Sequence, residues 1–248
     1  MKILHTADWH LGKKLDHFSR LDEQRLVMNE ICVIADNENA DVIIVAGDLF
    51  DTFNPPVEAI DLLYKTLKRL TNNGKRPVIA IAGNHDSPDR IDSPNPLARE
   101  CGILFVGNPD VTIPCFTIEN GFEIIQSENG FIEIKLPQYV FPIRIITTPY
   151  ANEMRLKTYL GADNKEEQLN QLLGDSWSAI AAKYCDNEGV NILTTHLYML
   201  KRGGEILEEP DGEKPLRIGN ADIVYTDCIP HQIQYTALGH LHRYQNVG

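Results

Sequence analysis

Long apolar runs are the first thing missing from this sequence of 248 residues. The longest, such as Val42 to Ala46 and Val78 to Ala82, fall well short of the roughly 18 apolar residues of a membrane-spanning helix, so no membrane partner is expected. The amino terminus, MKILHTADWH, meets Asp8 before an apolar signal core can form, which makes the cytoplasm the expected compartment. Cysteine is sparse. Its five residues (Cys32, Cys101, Cys115, Cys185 and Cys228) are odd in number, widely spaced and without a CxxC pair, which argues against a zinc knuckle or redox dithiol and predicts buried free thiols. Basic charge is in deficit, with 23 Lys and Arg against 35 Asp and Glu and a formal charge of −12. Taken alone, that opposes a nucleic-acid partner, whose phosphates normally demand a basic footprint.

What is present suits one α/β domain, because 43% hydrophobic residues over this length can bury one large core. Apolar runs of strand length occur at Ile3 to Leu4, Val42 to Ala46 and Val78 to Ala82, and each ends in a polar turn. Between the first two, Arg20 to Asn37 carries Val27, Met28, Ile31, Ile34 and Ala35 at helical spacing. Between the next two, Ile60, Leu63, Leu67 and Leu70 repeat the pattern behind Pro55 and Pro56, which suit a helix start. The result is a βαβαβ unit, whose ligands gather at the carboxyl ends of its strands. From Val111 to Ile146 the runs shorten, with hairpin signals at Asn120-Gly121 and Asn129-Gly130, and predict an antiparallel half. Leu169, Leu172, Leu173, Trp177, Ile180 and Tyr184 then mark an amphipathic helix. Strands follow at Val190 to Thr195 and Gln234 to Leu238, on either side of a polar loop from Lys201 to Asn220.

Chemistry-bearing residues collect where strands end: DWH at Asp8 to His10, GDLFD at Gly47 to Asp51, GNHD at Gly83 to Asp86, TTH ending at His196, and GHLH at Gly239 to His242. Strand ends in one sheet converge, so these scattered side chains are expected on one rim. Glycine ahead of a ligand lets the chain turn sharply, and ligands two apart, as in DWH and HLH, share a face of an extended segment. Carboxylate, amide oxygen and imidazole together suit manganese, iron or zinc better than calcium or magnesium. A lone histidine is more often a hydrogen-bonded structural residue than a ligand. Five of the eight histidines fall inside the motifs, however, and that clustering needs another cause. His5, His17 and His231 lie outside them and are assigned no chemistry.

The five motifs, in this order, resemble those of the calcineurin-like metallophosphoesterases, and DWHLG, GDLFD, GNHD and GHLHR together resemble SbcD-type DNA repair exonucleases over essentially the whole chain. The resemblance implies a four-layer αββα sandwich with mixed sheets and outer helices, and a nuclease domain over residues 1–248 that lacks the capping region common in this branch. It implies two divalent cations, manganese foremost, with iron, zinc or magnesium as the alternatives. One would be held by Asp8, His10, Asp48 and His242, the other by Asp48, Asn84, His196 and His240, with Asp48 bridging. A hydroxide shared by such a pair, about 4 Å apart, would attack the phosphodiester in line. His85 matches the non-ligand histidine that stabilises the phosphorus centre or protonates the leaving oxygen, and Asp51 is expected to orient it. The resemblance also implies DNA ends or hairpins as substrate and an SbcC-type coiled-coil ATPase as partner. Homodimers formed through helices beside the catalytic core are common in the family.

Lys13, Lys14 and Arg20 follow the first motif, and Lys201, Arg202 and Arg243 follow the last two, so DNA contact through Lys13, Lys14, Arg20, Arg202 and Arg243 balances evenly against a solvated face. Divalent cations at the rim would let local sign oppose the global one. Two other functions compete: a phosphatase or phosphodiesterase for a non-DNA substrate, and a scaffold without turnover. The GDLFD, GNHD and DWHLG variants lean away from protein phosphatases. A scaffold would be expected to have lost ligands, and none is missing.

Overall fold

The computed structural model describes residues 1–161, 163–204 and 223–242. Most of the polar loop expected up to Asn220, and Arg243, lie outside the described residues. The first half runs β1 (Ile3–Thr6), an exposed hairpin of β2 (Lys14–Leu15) and β3 (Phe18–Ser19), α1 (Leu21–Asn37), β4 (Val42–Ala46), α2 (Val57–Leu70), β5 (Val78–Ile81), α3 (Pro88–Asp92), α4 (Asn95–Glu100) and β6 (Ile103–Val106). Its main sheet is parallel throughout, in the order β1-β4-β5-β6. The second half runs β7 (Phe116–Thr117), β8 (Glu123–Glu128), β9 (Phe131–Lys135), β10 (Ile143–Thr148), α5 (Glu153–Leu156), α6 (Lys165–Tyr184), β11 (Val190–Thr195), β12 (Met199–Leu200), β13 (Val224–Tyr225) and β14 (Tyr235–Leu238).

The second sheet has the order β14-β11-β10-β9-β8-β7. The antiparallel half expected from the two hairpin signals is present from β7 to β10. Strands β11 and β14 join it in parallel. Between β10 and β11 the chain crosses over through α6, and such a crossover returns a strand in the same direction.

Side-chain alternation along the strands separates three cores and so builds the layers. In β4, Ile43 and Val45 pack with Met28, Ala35, Leu63 and Leu67 of the helices α1 and α2. Val42 and Ile44 face the other way, against Ile132, Ile145 and Ile192 of the second sheet. On that sheet's far side Phe131, Ile146 and Leu193 meet Leu169, Leu173 and Trp177 of α6. Helices, sheet, sheet, helix: this is the expected αββα sandwich. A strand covered on both faces has no polar position to spare, which is why β4 reads as an unbroken apolar run.

Two expectations need correcting. The apolar stripe of α1 is wider than its buried face, since Met28, Cys32 and Ala35 are buried while Val27 and Ile34 remain 50% and 45% exposed. The five cysteines are free, but Cys32 alone is buried and Cys115 is exposed. Among the described residues, no helix is long and apolar enough to cross a membrane.

Trp177 fixes the α6 layer: it is 1% exposed and donates from Nε1 to the Thr148 hydroxyl at 2.8 Å. Trp177→Ala is expected to lower folding stability by about 3–5 kcal/mol, seen as a lower urea midpoint at unchanged slope. An unmoved midpoint would show that α6 docks without it.

Candidate metal centre

The motifs arrive from two facing sheets, not from one sheet as their sequence positions suggest. Strands β1, β4 and β5 deliver Asp8 to His10, Asp48 to Asp51 and Asn84 to Asp86, while β11 and β14 deliver His196 and His240 to His242. The seam is tied by His5, whose Nδ1 lies 2.9 Å from the Tyr235 hydroxyl and whose Nε2 lies 3.0 Å from the Leu238 carbonyl. It is tied again where the His240 amide donates to both oxygens of Asp8, at 3.1 and 3.2 Å. His5, outside every motif, thus has a structural task.

Asp8, His10, Asp48 and His240 all sit in the left-handed region, with φ of 56°, 43°, 48° and 83°. Asp8 and His10 therefore do not share the face of an extended segment; separate kinks aim each of them. Such a conformation costs about 1–3 kcal/mol for a non-glycine residue and persists only where its surroundings hold it. Here the Asp8 amide donates to the Gly47 carbonyl and the His10 amide to the Asp48 carbonyl, both at 3.0 Å. Gly47, at φ 91°, is the sharp turn anticipated from the sequence. At Gly83 the reason is space, because a Cβ there would collide with the carboxylate and amide of Asp48.

The Asp48 carboxylate stands between two groups of donors. On one side its Oδ2 lies 3.6 Å from His10 Nε2, which is 3.1 Å from His242 Nε2, and that atom is 3.5 Å from Asp8 Oδ1. On the other side the same Oδ2 lies 3.3 Å from His196 Nε2, which is 3.1 Å from Asn84 Oδ1, itself 3.0 Å from His240 Nδ1. Cation–ligand bonds of about 2.1 Å set neighbouring ligand atoms about 3.0–3.4 Å apart, so the spacings suit one cation in each group. Two imidazole nitrogens facing each other, as in His10 and His242, also share at most one proton, and a cation relieves their repulsion.

Electrostatics divides these groups by protonation state. Burial pushes His10 down to about 4 and His240 down to about 3, so both rings are neutral at neutral pH. Burial also opposes charge on His196, but the Asp48 carboxylate beside it wins and raises the ring to about 9. Its Nδ1–H donates to the Ala46 carbonyl at 2.7 Å, which leaves Nε2 turned to Asp48. Burial would raise the Asp48 carboxyl, yet the His196 charge holds it well below the usual carboxylate range.

A family model for calcineurin-like phosphoesterases matches residues 1–244. The chain belongs to the calcineurin-like phosphoesterase family. It is similar to proteins named as the SbcD component of the SbcCD nuclease in three bacteria. That of Bacillus subtilis is 37% identical over 252 aligned residues, covering 100% of this chain and 58% of the relative. That of Staphylococcus epidermidis is 33% identical, covering 98% of this chain and 57% of the relative. For Rhodobacter capsulatus the identity is 30%, with 100% and 59% covered. The chain thus spans less than two thirds of the length of these curated relatives.

In this calcineurin-like phosphoesterase His85 donates its amide to Asp48 Oδ1 and its Nδ1–H to the backbone carbonyl of Asp51, each at 2.9 Å. The contact expected from the Asp51 side chain is therefore made by its main chain, and the Asp51 carboxylate lies 3.7 Å from His10 Nδ1. Sequence reasoning missed one residue inside the GNHD motif: Asp86, whose buried carboxylate accepts from the amides of Gly83 (2.8 Å), Leu49 (3.0 Å) and Phe50 (2.9 Å). Burial, aided by the nearby Asp48 charge, raises its carboxyl. An Asp three residues after Gly83 is the spacing of a side chain folding back on a turn, which is the signal that could have found it. Tyr150 and Tyr198, outside every motif, bring their rings 6.2 and 6.3 Å from that of His240. Of the basic residues, Lys14 lies on the exposed hairpin and Arg20 just after it, at the start of α1, where it pairs with Glu23 at 2.7 Å. Arg202 pairs with Asp227 at 2.7 Å above the Tyr225 ring.

A cation taken up at His196 would have to displace its proton, whereas at His10 and His240 it would meet neutral rings. Manganese affinity is expected to rise by about tenfold per pH unit from pH 7 and to level off above about 9. Titration calorimetry at pH 7, 8 and 9 measures this; one affinity at all three would contradict the proton competition.

Proposed function

We propose that residues 1–248 are the catalytic domain of an SbcD-type nuclease, hydrolysing phosphodiesters at DNA ends or hairpins with two divalent cations, manganese first. The carrying observation is that one carboxylate oxygen, Asp48 Oδ2, faces a histidine of each donor group at 3.6 and 3.3 Å. The names of the relatives support a nuclease that works within an SbcCD assembly, and the motif resemblance supplies DNA as substrate and a coiled-coil ATPase as partner. A homodimer and a cytoplasmic, DNA-repair setting complete it.

Asp8, His10, Asp48 and His242 would hold one cation, and Asp48, Asn84, His196 and His240 the other. Bound there, such a pair supplies Lewis acidity that makes water a better nucleophile and neutralises phosphate charge. The chain's own groups do the remaining work. His85, with Nδ1–H committed to the Asp51 carbonyl, keeps Nε2 as the nitrogen that gives or takes a proton, suited to the departing sugar oxygen. Asp51 would orient it through that carbonyl, a bond that Asp51→Asn retains. The hairpin and its flanking residues offer Lys13, Lys14 and Arg20 to phosphates, with Phe18, 72% exposed, as a face for a base. Arg202 and Arg243 are proposed as further contacts.

The test is an end-labelled duplex offered with manganese beside a phosphopeptide. Cleavage of the duplex alone is expected, with His85→Ala slower by about 10²–10⁴-fold at unchanged manganese uptake. Hydrolysis of the phosphopeptide alone, or full activity in His85→Ala, would contradict the reading.

A further inference from the structure

The turn that carries Asn84 and His85 is secured from the parallel sheet by Asp86, and from the other half of the chain by Arg155. From α5, Arg155 donates Nη1–H to the Gly83 carbonyl at 2.9 Å and Nη2–H to the Asp86 carbonyl at 2.8 Å. These two carbonyls bracket Asn84 and His85. A planar guanidinium suits two fixed acceptors, because its donors are held in one rigid fork. The strap is itself anchored: its guanidinium lies 5.0 Å from the centre of the Tyr150 ring, the Tyr150 amide donates to the Ala82 carbonyl at 2.9 Å, and Asn152 caps α5 by accepting from the Arg155 amide at 2.9 Å.

Asn84 comes from one sheet and must meet His196 and His240 from the other, at 3.1 and 3.0 Å. A shift of the turn of about 1 Å would break both contacts and misplace His85 at a cost near 10²-fold in rate. We infer that Arg155 is a positioning residue that sets the depth of the Asn84–His85 turn between the two sheets, and through it cation affinity on the Asn84 side and the rate of phosphodiester cleavage. The consequence for cleavage rests on the proposed nuclease reading; the consequence for the turn rests on hydrogen bonds alone.

Arg155→Met and Arg155→Lys test this at three levels. Hydrogen exchange of the metal-free protein is expected to quicken by about tenfold or more in a peptide spanning Gly83 to Asp86, with β11 unchanged. Calorimetry should show one of two manganese equivalents weakened by about 10–100-fold. Turnover on duplex DNA should fall in kcat at unchanged KM, and Lys, reaching one carbonyl, should recover part of every loss. Unchanged exchange in Arg155→Met overturns the strap, and so does faster exchange with parental metal affinity and kcat. Loss of the fold in both variants by circular dichroism would make Arg155 a residue of the core and overturn it too. Faster exchange in a protein whose parent neither binds manganese nor cuts DNA would leave the strap standing and sink the nuclease reading.

Discussion

Asp48 is where the two halves of the molecule are forced to agree. Its Oδ1 accepts the His85 amide and its Oδ2 faces His10 and His196, while its backbone sits in a left-handed conformation. A carboxylate 2% exposed is costly unless opposite charge and hydrogen bonds surround it. Without cations, the charged ring of His196 answers it. If Asp48 and His196 hold a cation as proposed, proton and metal would be alternative counter-charges for one buried anion.

The αββα architecture makes that meeting place possible. Three apolar cores lock the layers, so the carboxyl ends of β1, β4 and β5 abut those of β11 and β14 along a fixed seam. Left-handed backbone occurs in turns and at helix ends too, but at the seam it falls on Asp8, His10, Asp48 and His240, in the segments that follow the strands. Stable cores hold what the seam alone could not. Charge follows the same division: a net −12 overall, yet a seam where burial keeps the His10 and His240 rings neutral.

Much of this was legible in the residues. Unbroken apolar runs announced the doubly covered strands, Asn-Gly pairs announced two hairpins, and the motifs at strand ends announced the donors. What the sequence hid were relations between distant segments. That the donors come from two sheets cannot be read from their spacing, because a strand end looks the same whichever sheet it joins. The Asp51 carbonyl beside His85 was hidden because backbone groups leave no mark in a residue pattern. Arg155, Tyr150 and Tyr198 lie outside the motifs, and Arg155 acts through carbonyls that any loop would possess. The overreach on α1 and on the cysteines has one cause: apolar character states what can be buried, not what is.

The central claim is that one carboxylate joins two cation sites. Crystals grown with manganese and measured at its absorption edge address this most directly. Two anomalous peaks flanking the Asp48 carboxylate, one beside His10 and His242 and one beside Asn84 and His196, are predicted; a single peak, or peaks remote from Asp48, would contradict the account.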